Sequence, residues 1–190
     1  MSPGYYFDMT RCVGCRACQV ACKDKNRLDV GTIFRNSKTY SVGKFPDAKA
    51  YSYTATCNHC GNPACIAVCP TGAVFRAEDG SVIIDQGLCI ADQSCVAACP
   101  YDVPQIMPNG NAGKCDSCYA IRQAGGQPAC VSSCPNRALD FGDLEDLKRK
   151  YGSNLVSEIA VLPSKDTTLP SLLIKAKGIA SQKDFVEVHW

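Results

Sequence analysis

The sequence predicts an α+β fold that is rich in loops, with short strands, short helices and a C-terminal extension. Cysteine gives the first reason, because 15 of the 190 residues are cysteines and they recur in four similar groups. Between the groups, short aromatic and β-branched runs alternate with turn residues, a pattern typical of brief strands. The apolar fraction is 46% with cysteine counted. It falls to roughly 38% without cysteine, a thin supply for a conventional core.

Strands are expected on both sides of the cysteine groups. Residues 82–85 follow residues 73–76 across the dipeptide Asp79-Gly80, which is a strong signal for a β-hairpin. Aromatic runs precede the first two groups, and an apolar run follows the fourth. The predicted strands are therefore residues 5–7, 51–54, 73–76, 82–85 and 138–141.

The sequence changes character after the last cysteine group. Asp143 is expected to cap a helix over residues 144–150, which begins with acidic residues, ends with basic ones and stops at Gly152. Residues 172–174 are apolar and predict an edge strand or a contact with another subunit. Residues 23–50, which follow Cys22, contain no cysteine and are mostly polar. We therefore predict a surface loop there.

The four cysteine groups share one pattern. Each places cysteines a few residues apart on a loop and then closes with C-x3-C, which we expect on a short helix. Three of the closings run into proline, which ends a helix, whereas the first is followed by Lys23. The groups are Cys12, Cys15, Cys18 and Cys22; Cys57, Cys60, Cys65 and Cys69; Cys89, Cys95 and Cys99; and Cys115, Cys118, Cys130 and Cys134.

Thiolates at this spacing are typical ligands of iron–sulfur clusters. A cubane has four irons that each need one external ligand, and in C-x2-C-x2-C-x3-C-P runs the last cysteine ligates the other cluster of a pair. That rule pairs the second group with the third, and the first with the fourth. The expected sets are set 1 (Cys12, Cys15, Cys18, Cys134), set 2 (Cys57, Cys60, Cys65, Cys99), set 3 (Cys89, Asp92, Cys95, Cys69) and set 4 (Cys115, Cys118, Cys130, Cys22).

Asp92 stands where the third group would have its second cysteine. Its carboxylate could ligate the fourth iron through a harder and more readily exchanged bond than a thiolate makes. Alternatively, that corner is empty and the site holds a 3Fe–4S cluster. We favour the Asp-ligated 4Fe–4S cluster and expect three further 4Fe–4S clusters in the other sets.

The pairing divides the chain into two dicluster modules. The outer module encloses the inner one in sequence, and no catalytic residue is expected because the redox chemistry belongs to the cofactors. The predicted segments are 1–56 and 110–142 for the outer module, 57–109 for the inner module, and 143–190 for a C-terminal helix and docking tail.

Composition excludes several other classes. The net charge of +2 gives no reason to expect nucleic-acid binding, and no apolar run is long enough to span a membrane. The first residues lack the features of a signal peptide, so we expect assembly in the cytoplasm. An odd cysteine count argues against a closed disulfide framework.

Two smaller questions concern zinc and the residues beside the cysteines. A zinc-stabilised scaffold is an alternative, because C-x2-C pairs also bind zinc, but four C-x3-C closings do not divide readily into zinc sites. His59 is expected to pack beside the cysteines or to support them rather than to ligate a metal. Lys23 and Lys114 are each expected either to donate to sulfur or to be solvated.

Five motifs resemble one family over nearly the whole chain. They are C-V-G-C-R-A-C-Q-V-A-C-K, C-N-H-C-G-N-P-A-C-I-A-V-C-P, V-A-A-C-P-Y, K-C-D-S-C-Y and C-P-N-R-A-L-D-F-G. They are similar to the iron–sulfur subunit of dimethyl sulfoxide reductase and the related polysulfide reductases. The resemblance implies a double ferredoxin-like fold with the pairing given above. Asp92 departs from the family, which has cysteine there.

The resemblance also implies a function and partners. Such a subunit conducts electrons between a quinol-oxidising membrane anchor and a large molybdopterin catalytic subunit of an anaerobic respiratory oxidoreductase. We therefore expect a non-catalytic electron-transfer subunit, associated with either face of a membrane through its partners. A free-standing polyferredoxin, or a carrier linked to hydrogenase or formate dehydrogenase, is the alternative.

Overall fold

The computed structural model describes residues 2–189, so Met1 and Trp190, the outer ends of the first and last predicted segments, lie outside the described residues. Short helices and strands alternate along the chain, which confirms the predicted α+β class. The helices α1 to α6 are Ala17–Lys25, Ala64–Ala67, Ser94–Ala98, Tyr119–Gln123, Ala129–Ser132 and Leu144–Tyr151. The strands β1 to β10 are Pro3–Asp8, Asn36–Val42, Lys49–Ala55, Val74–Arg76, Val82–Ile84, Gln105–Ile106, Ala112–Gly113, Leu139–Asp143, Leu172–Lys175 and Phe185–Val188.

The first sheet joins distant parts of the chain in the order β8-β1-β9. Strand β1 is central, with Tyr5 opposite Phe141 in antiparallel β8 and opposite Leu172 in parallel β9. Every residue of β1 is buried, because elements cover both of its faces. The predicted strands at residues 5–7 and 138–141 are confirmed, and residues 172–174 form an edge strand of this sheet.

The second sheet contains two strands that were not predicted from the sequence, β2 and β10. Its order is β10-β2-β3, with both pairings antiparallel. The predicted strand at residues 51–54 is confirmed within β3, but β2 lies in the segment expected to be a surface loop. Polar side chains in β2 are buried because they bond across the sheet, as Thr39 Oγ1 does with Ser52 Oγ at 2.9 Å. Counting apolar residues therefore missed this strand.

The predicted hairpin is confirmed in β4 and β5, which pair antiparallel. Gly80 has a φ of 92° in the turn, and Asp79 Oδ1 accepts a hydrogen bond of 2.9 Å from the Ser81 amide. A smaller hairpin joins β6 and β7.

Proline sets the lengths of the cysteine-bearing helices. Helices α2, α3 and α5 have four, five and four residues and end before a Cys-Pro pair. Helix α1, which has Lys23 after its last cysteine, extends over nine residues to Lys25. Proline restricts the residue before it and cannot continue the helical hydrogen bonds, which explains the difference.

Helix α6 begins and ends near the predicted residues. Asp143 is its N-cap, with Oδ1 accepting a hydrogen bond from the Glu145 amide at 3.0 Å, and Gly152 is its C-cap. The helix packs on the first sheet, where the rings of Tyr6 and Tyr151 stack with centroids 3.6 Å apart. Among residues 2–189, no helix combines the length and apolar character needed to cross a bilayer.

The largest core cluster lies between the two three-stranded sheets. Phe7 of β1 meets Tyr53 of β3 edge to face, with ring centroids 5.6 Å apart. Cysteines belong to the same core, including Cys18, Cys130 and Cys134. The sheets therefore form one wall of the region where the cysteines gather.

Candidate iron–sulfur cluster sites

Set 1 gathers four thiols around one cavity. Cys12 and Cys15 lie in the loop after β1, Cys18 lies in the first turn of α1, and Cys134 follows α5. All four line the cavity together with residues of β1, β2, β3 and β8. Burial raises the pKa of Cys12, and the neighbouring thiols of Cys18, Cys134 and Cys15 raise it further.

Set 2 surrounds a second cavity, which Lys114 also lines. Three of its cysteines belong to the second group, and Cys99 arrives from the end of the third. Burial raises the pKa of Cys60 to about 11 and that of Cys65 to about 12. The thiols of Cys57 and Cys99 raise the pKa values of Cys60 and Cys65 further, because the sulfur atoms of the four residues lie close together.

Set 4 is more deeply buried. Cys22 lies near the end of α1, Cys115 and Cys118 precede α4, and Cys130 lies in α5; all four are buried. Burial raises the pKa of Cys22 to about 12, and Cys115, Cys130 and Cys118 contribute to the increase. Cys18 and Cys22 are four residues apart on one helix, so α1 serves both set 1 and set 4.

Set 3 contains the one position that is not cysteine. The pKa of Cys95 is raised by burial first, and then by the nearby Asp92, Cys69 and Cys89. Asp92 is exposed, and its carboxylate accepts a hydrogen bond from the Ser94 hydroxyl. The carboxylate therefore lies near the thiols of the set while remaining open to solvent.

The donors of the four sets fit iron–sulfur clusters chemically. All 15 cysteines are free of disulfide bonds. Thiolates are soft ligands that suit iron, and four donors in each set match the four irons of a cubane. In the part of the chain that the structure describes, no three Cys, His, Asp or Glu side chains converge on the position of a single metal ion. The thiols instead stand around the walls of larger spaces, as in sets 1 and 2.

One backbone feature recurs in all four cysteine groups. The residue before the second ligand position has a left-handed conformation in each group, with φ values of 71°, 44°, 58° and 54° at Gly14, His59, Ala91 and Ser117. Only Gly14 signals this conformation in the sequence, because glycine adopts it at little cost. Since Ala91 precedes Asp92, the third group has the same local backbone conformation as the others at that position.

Several hydrogen bonds to sulfur were not predicted. Donors near the thiols stabilise the charged ligand and are among the groups that tune cluster potentials. The donors are the amides of Ser117 and Ala138, each 3.3 Å from the sulfur of Cys115 and Cys134 respectively, and Asn26 Nδ2, 3.5 Å from Cys22 Sγ.

The two lysines beside the cysteines differ in their environments. Lys114 is buried, and its Nζ lies 3.4 Å from Cys57 Sγ while also donating to the carbonyl oxygens of Val82 and Cys115. Lys23 donates to backbone carbonyl oxygens in the loop after α1. Of the two, Lys114 therefore acts on sulfur.

His59 is a buried neutral side chain. Its Nδ1 accepts a hydrogen bond of 3.0 Å from the Val82 amide. Burial, together with the positive charges of Lys114 and Arg122, holds the pKa of His59 well below its usual value. Its Nε2 has no hydrogen-bond partner among residues 2–189.

Comparison with known proteins extends these observations. Two family profiles, each described as a 4Fe-4S dicluster domain, match residues 11–73 and 48–144. Together they cover all four cysteine groups.

Curated proteins similar to this one bear related names. The B subunit of the anaerobic dimethyl sulfoxide reductase of Haemophilus influenzae is 42% identical, over 93% of the present sequence and 90% of its own length. YnfG of Escherichia coli K12, named as a probable anaerobic dimethyl sulfoxide reductase subunit, is 41% identical, over 90% of the present sequence and 87% of its own length. Protein NrfC of the same strain is 44% identical, over 75% of the present sequence and 66% of its own length.

Proposed function

Since the protein belongs to the 4Fe-4S dicluster family that includes the B subunit of anaerobic dimethyl sulfoxide reductase, we propose that it is the four-cluster electron-transfer subunit of a molybdopterin oxidoreductase complex. It is an electron-transfer subunit of an anaerobic reductase complex and contains iron–sulfur clusters of the 4Fe–4S type. Beyond this role and these clusters, we propose which residues ligate each cluster, which type the third cluster is, and which partners the subunit has.

The observation behind the proposal is the convergence of fifteen cysteines and Asp92 into four sets of four. When bound, the clusters supply one-electron oxidation and reduction. The protein's own residues hold them in place, exclude water and set the local charge. In this proposal sets 1 and 4 belong to the outer module, formed by residues 1–56 and 110–142, and sets 2 and 3 to the inner module at 57–109.

Shared elements suggest the order of the sets in space. Sets 1 and 4 share α1, which bears Cys18 and Cys22, and residues four apart on a helix are neighbours. Lys114 connects set 4 to set 2, because its Nζ lies 3.2 Å from the Cys115 carbonyl oxygen and 3.4 Å from Cys57 Sγ. Helices α2 and α3 pack together and link set 2 to set 3. This supports a continuous path in the order 1, 4, 2, 3.

We infer that set 3 holds a 4Fe–4S cluster with Asp92 as a labile ligand. Three features support this: the left-handed residue Ala91 precedes Asp92, the carboxylate lies near Cys95, and Asp92 is exposed. A carboxylate is a harder ligand than a thiolate and exchanges more readily. Loss of this ligand and its iron would leave a 3Fe–4S cluster.

Replacing Asp92 by cysteine is expected to change the spectrum of one cluster. Any 3Fe-type signal of the oxidised protein should disappear, and a reduced 4Fe–4S signal should take its place, because a thiolate would hold the fourth iron firmly. Electron paramagnetic resonance of oxidised and reduced protein would detect the change. Asp85→Cys is the matched control, since it adds a thiol to an exposed part of the same region. An unchanged spectrum of Asp92→Cys would place Asp92 away from the cluster.

Exposed aliphatic side chains border the two sets at the ends of this path. Val13 and Val20 lie beside set 1 and are 67% and 65% exposed, while Leu88 and Ile90 flank Cys89 of set 3 and are 53% and 62% exposed. Apolar surface beside a terminal redox site suits a stable contact with another protein. We propose that the large molybdopterin subunit and a membrane anchor dock at these two ends, which would associate the complex with a membrane.

The C-terminal segment, predicted at residues 143–190, contributes β9 to the first three-stranded sheet and β10 to the second. We propose that the residues of this tail that remain exposed, such as Leu169 at 58% exposure, form its docking surface for another subunit.

Purification from the native organism under anaerobic conditions tests the proposed complex. We expect the tagged protein to co-purify with a larger subunit that contains molybdenum or tungsten. Replacing Val13 and Val20 by aspartate should release one partner, and replacing Leu88 and Ile90 by aspartate should release the other. Val30→Asp is the control, because Val30 is 99% exposed on a loop. A protein that purifies alone with its iron would instead support the free-standing polyferredoxin.

A further inference from the structure

Arg35 is a buried cation with few partners. It is 1% exposed and lies directly before the first residue of β2. Its Nη1 makes long contacts of 3.4 and 3.5 Å to the carbonyl and hydroxyl oxygens of Thr54, and its guanidinium lies 4.6 Å from the ring centre of Tyr5. Its Nε and Nη2 have no hydrogen-bond partner within residues 2–189.

The same two neighbours connect Arg35 to two different cysteine sets. The Thr54 hydroxyl lies 3.5 Å from Cys18 Sγ of set 1, and the Tyr5 hydroxyl lies 3.7 Å from Cys115 Sγ of set 4. Arg35 therefore stands between the two sets of the outer module, one residue away from the sulfur of each.

A guanidinium in this position needs a compensating negative charge. Arginine stays protonated in proteins, and burying a charge without a counter-charge is strongly unfavourable. Arg35 forms no ion pair with any carboxylate among the described residues. Arg122 shows the contrast, since it lies over the ring of Phe141 but pairs with Asp79 at 2.5 Å. The available negative charge near Arg35 is that of the thiolates of sets 1 and 4.

We propose that Arg35 is the shared counter-cation of the clusters held by sets 1 and 4, and that it raises the reduction potential of both. The proposal rests on the proposed function, in which these two sets bind clusters. Reduction adds a negative charge to a cluster, and a nearby buried cation favours that charge because little water screens it. Arg35 acts indirectly. It contacts Thr54 and Tyr5, which contact the cysteine ligands, and it thereby fixes a positive charge between the two clusters.

Redox titration of charge variants tests this role. In Arg35→Gln the midpoint potentials of the clusters in sets 1 and 4 should shift to more negative values, while those in sets 2 and 3 stay unchanged as internal references. Arg35→Lys should remain near the wild-type potentials. Cys12→Ala and Cys118→Ala assign the paramagnetic signals of sets 1 and 4. Arg11→Gln is the matched control, because it removes a cation beside Cys12 whose side chain is 59% exposed. Its shift should be several times smaller.

Iron content separates the possible outcomes. A wild-type protein without iron would contradict the proposed function. Full iron in Arg35→Gln with unchanged potentials, or with an equal shift of all four clusters, would overturn the role of Arg35. Loss of the clusters of sets 1 and 4 in Arg35→Gln but not in Arg35→Lys would support the need for positive charge. Equal loss in both variants would show that side-chain shape matters rather than charge, and would overturn the proposal.

Discussion

Replacing Cys99 by alanine is expected to remove the cluster of set 2 and to leave the cluster of set 3 in place. Cys99 lies in the third cysteine group, yet its side chain lines the same cavity as Cys57, Cys60 and Cys65 of the second. One missing thiolate leaves one iron without its ligand, and among residues 2–189 no other thiol or carboxylate lines this cavity. The expected result is the loss of the reduced 4Fe–4S signal of set 2, together with between one and about four irons per protein molecule.

The reciprocal variant sharpens this test. Cys69→Ala should remove the cluster of set 3 and spare that of set 2, because Cys69, like Cys89 and Asp92, lies close enough to Cys95 to raise the pKa of its thiol. Both variants are best made with Asp92→Cys as background, since that change marks the signal of set 3. If Cys99→Ala instead eliminated the marked signal, each group would close its own cluster and the exchange of ligands would be wrong.

Removal of iron should unfold the protein. Cysteines form part of three of the buried core clusters, so the space that a cluster would fill lies at the centre of the fold. Structural zinc contributes about 10–16 kcal/mol in zinc-finger peptides, whereas a whole domain is stable by only about 5–15 kcal/mol, so a metal site at the centre of a fold can supply most of its stability. Without the clusters, the free energy of unfolding is therefore expected to be too small for the protein to keep its native structure.

Circular dichroism before and after anaerobic chelation measures this loss. We expect the signal of the short strands and helices to fall and the cooperative thermal transition to vanish. Reconstitution with iron and sulfide should restore both. An iron-free protein with the secondary structure and the sharp transition of the loaded form would show that the two sheets are stable without clusters.

Local signals made most of the fold predictable. The cysteine spacing, the Asp79-Gly80 turn and the Asp143 cap each depend on neighbouring residues, and each predicted element is present. Strand β2 was missed because its buried Thr39 is polar and bonds to Ser52 of another strand. The parallel pairing of β9 with β1 likewise joins residues about 167 positions apart, beyond what any local pattern reports.

The surroundings of the sulfur atoms were less predictable than the sulfur atoms themselves. Cysteine spacing predicts the four sets. In the structure the members of sets 1 and 2 each line one cavity, and Cys22 and Cys95 lie near the other members of sets 4 and 3. Arg35 has no motif, because its role depends on β2 placing it behind Tyr5 and Thr54. The left-handed conformations of His59, Ala91 and Ser117 could not be predicted either, since residues other than glycine adopt this conformation only uncommonly.

Metal analysis of anaerobically purified protein, together with electron paramagnetic resonance, determines whether the four sets hold four iron–sulfur clusters. We expect about 15 or 16 irons per protein molecule, and paramagnetic signals from four clusters that appear or change on reduction. Stoichiometric zinc, with no visible absorption and no paramagnetic signal in either oxidation state, would contradict this expectation and support a zinc-stabilised scaffold.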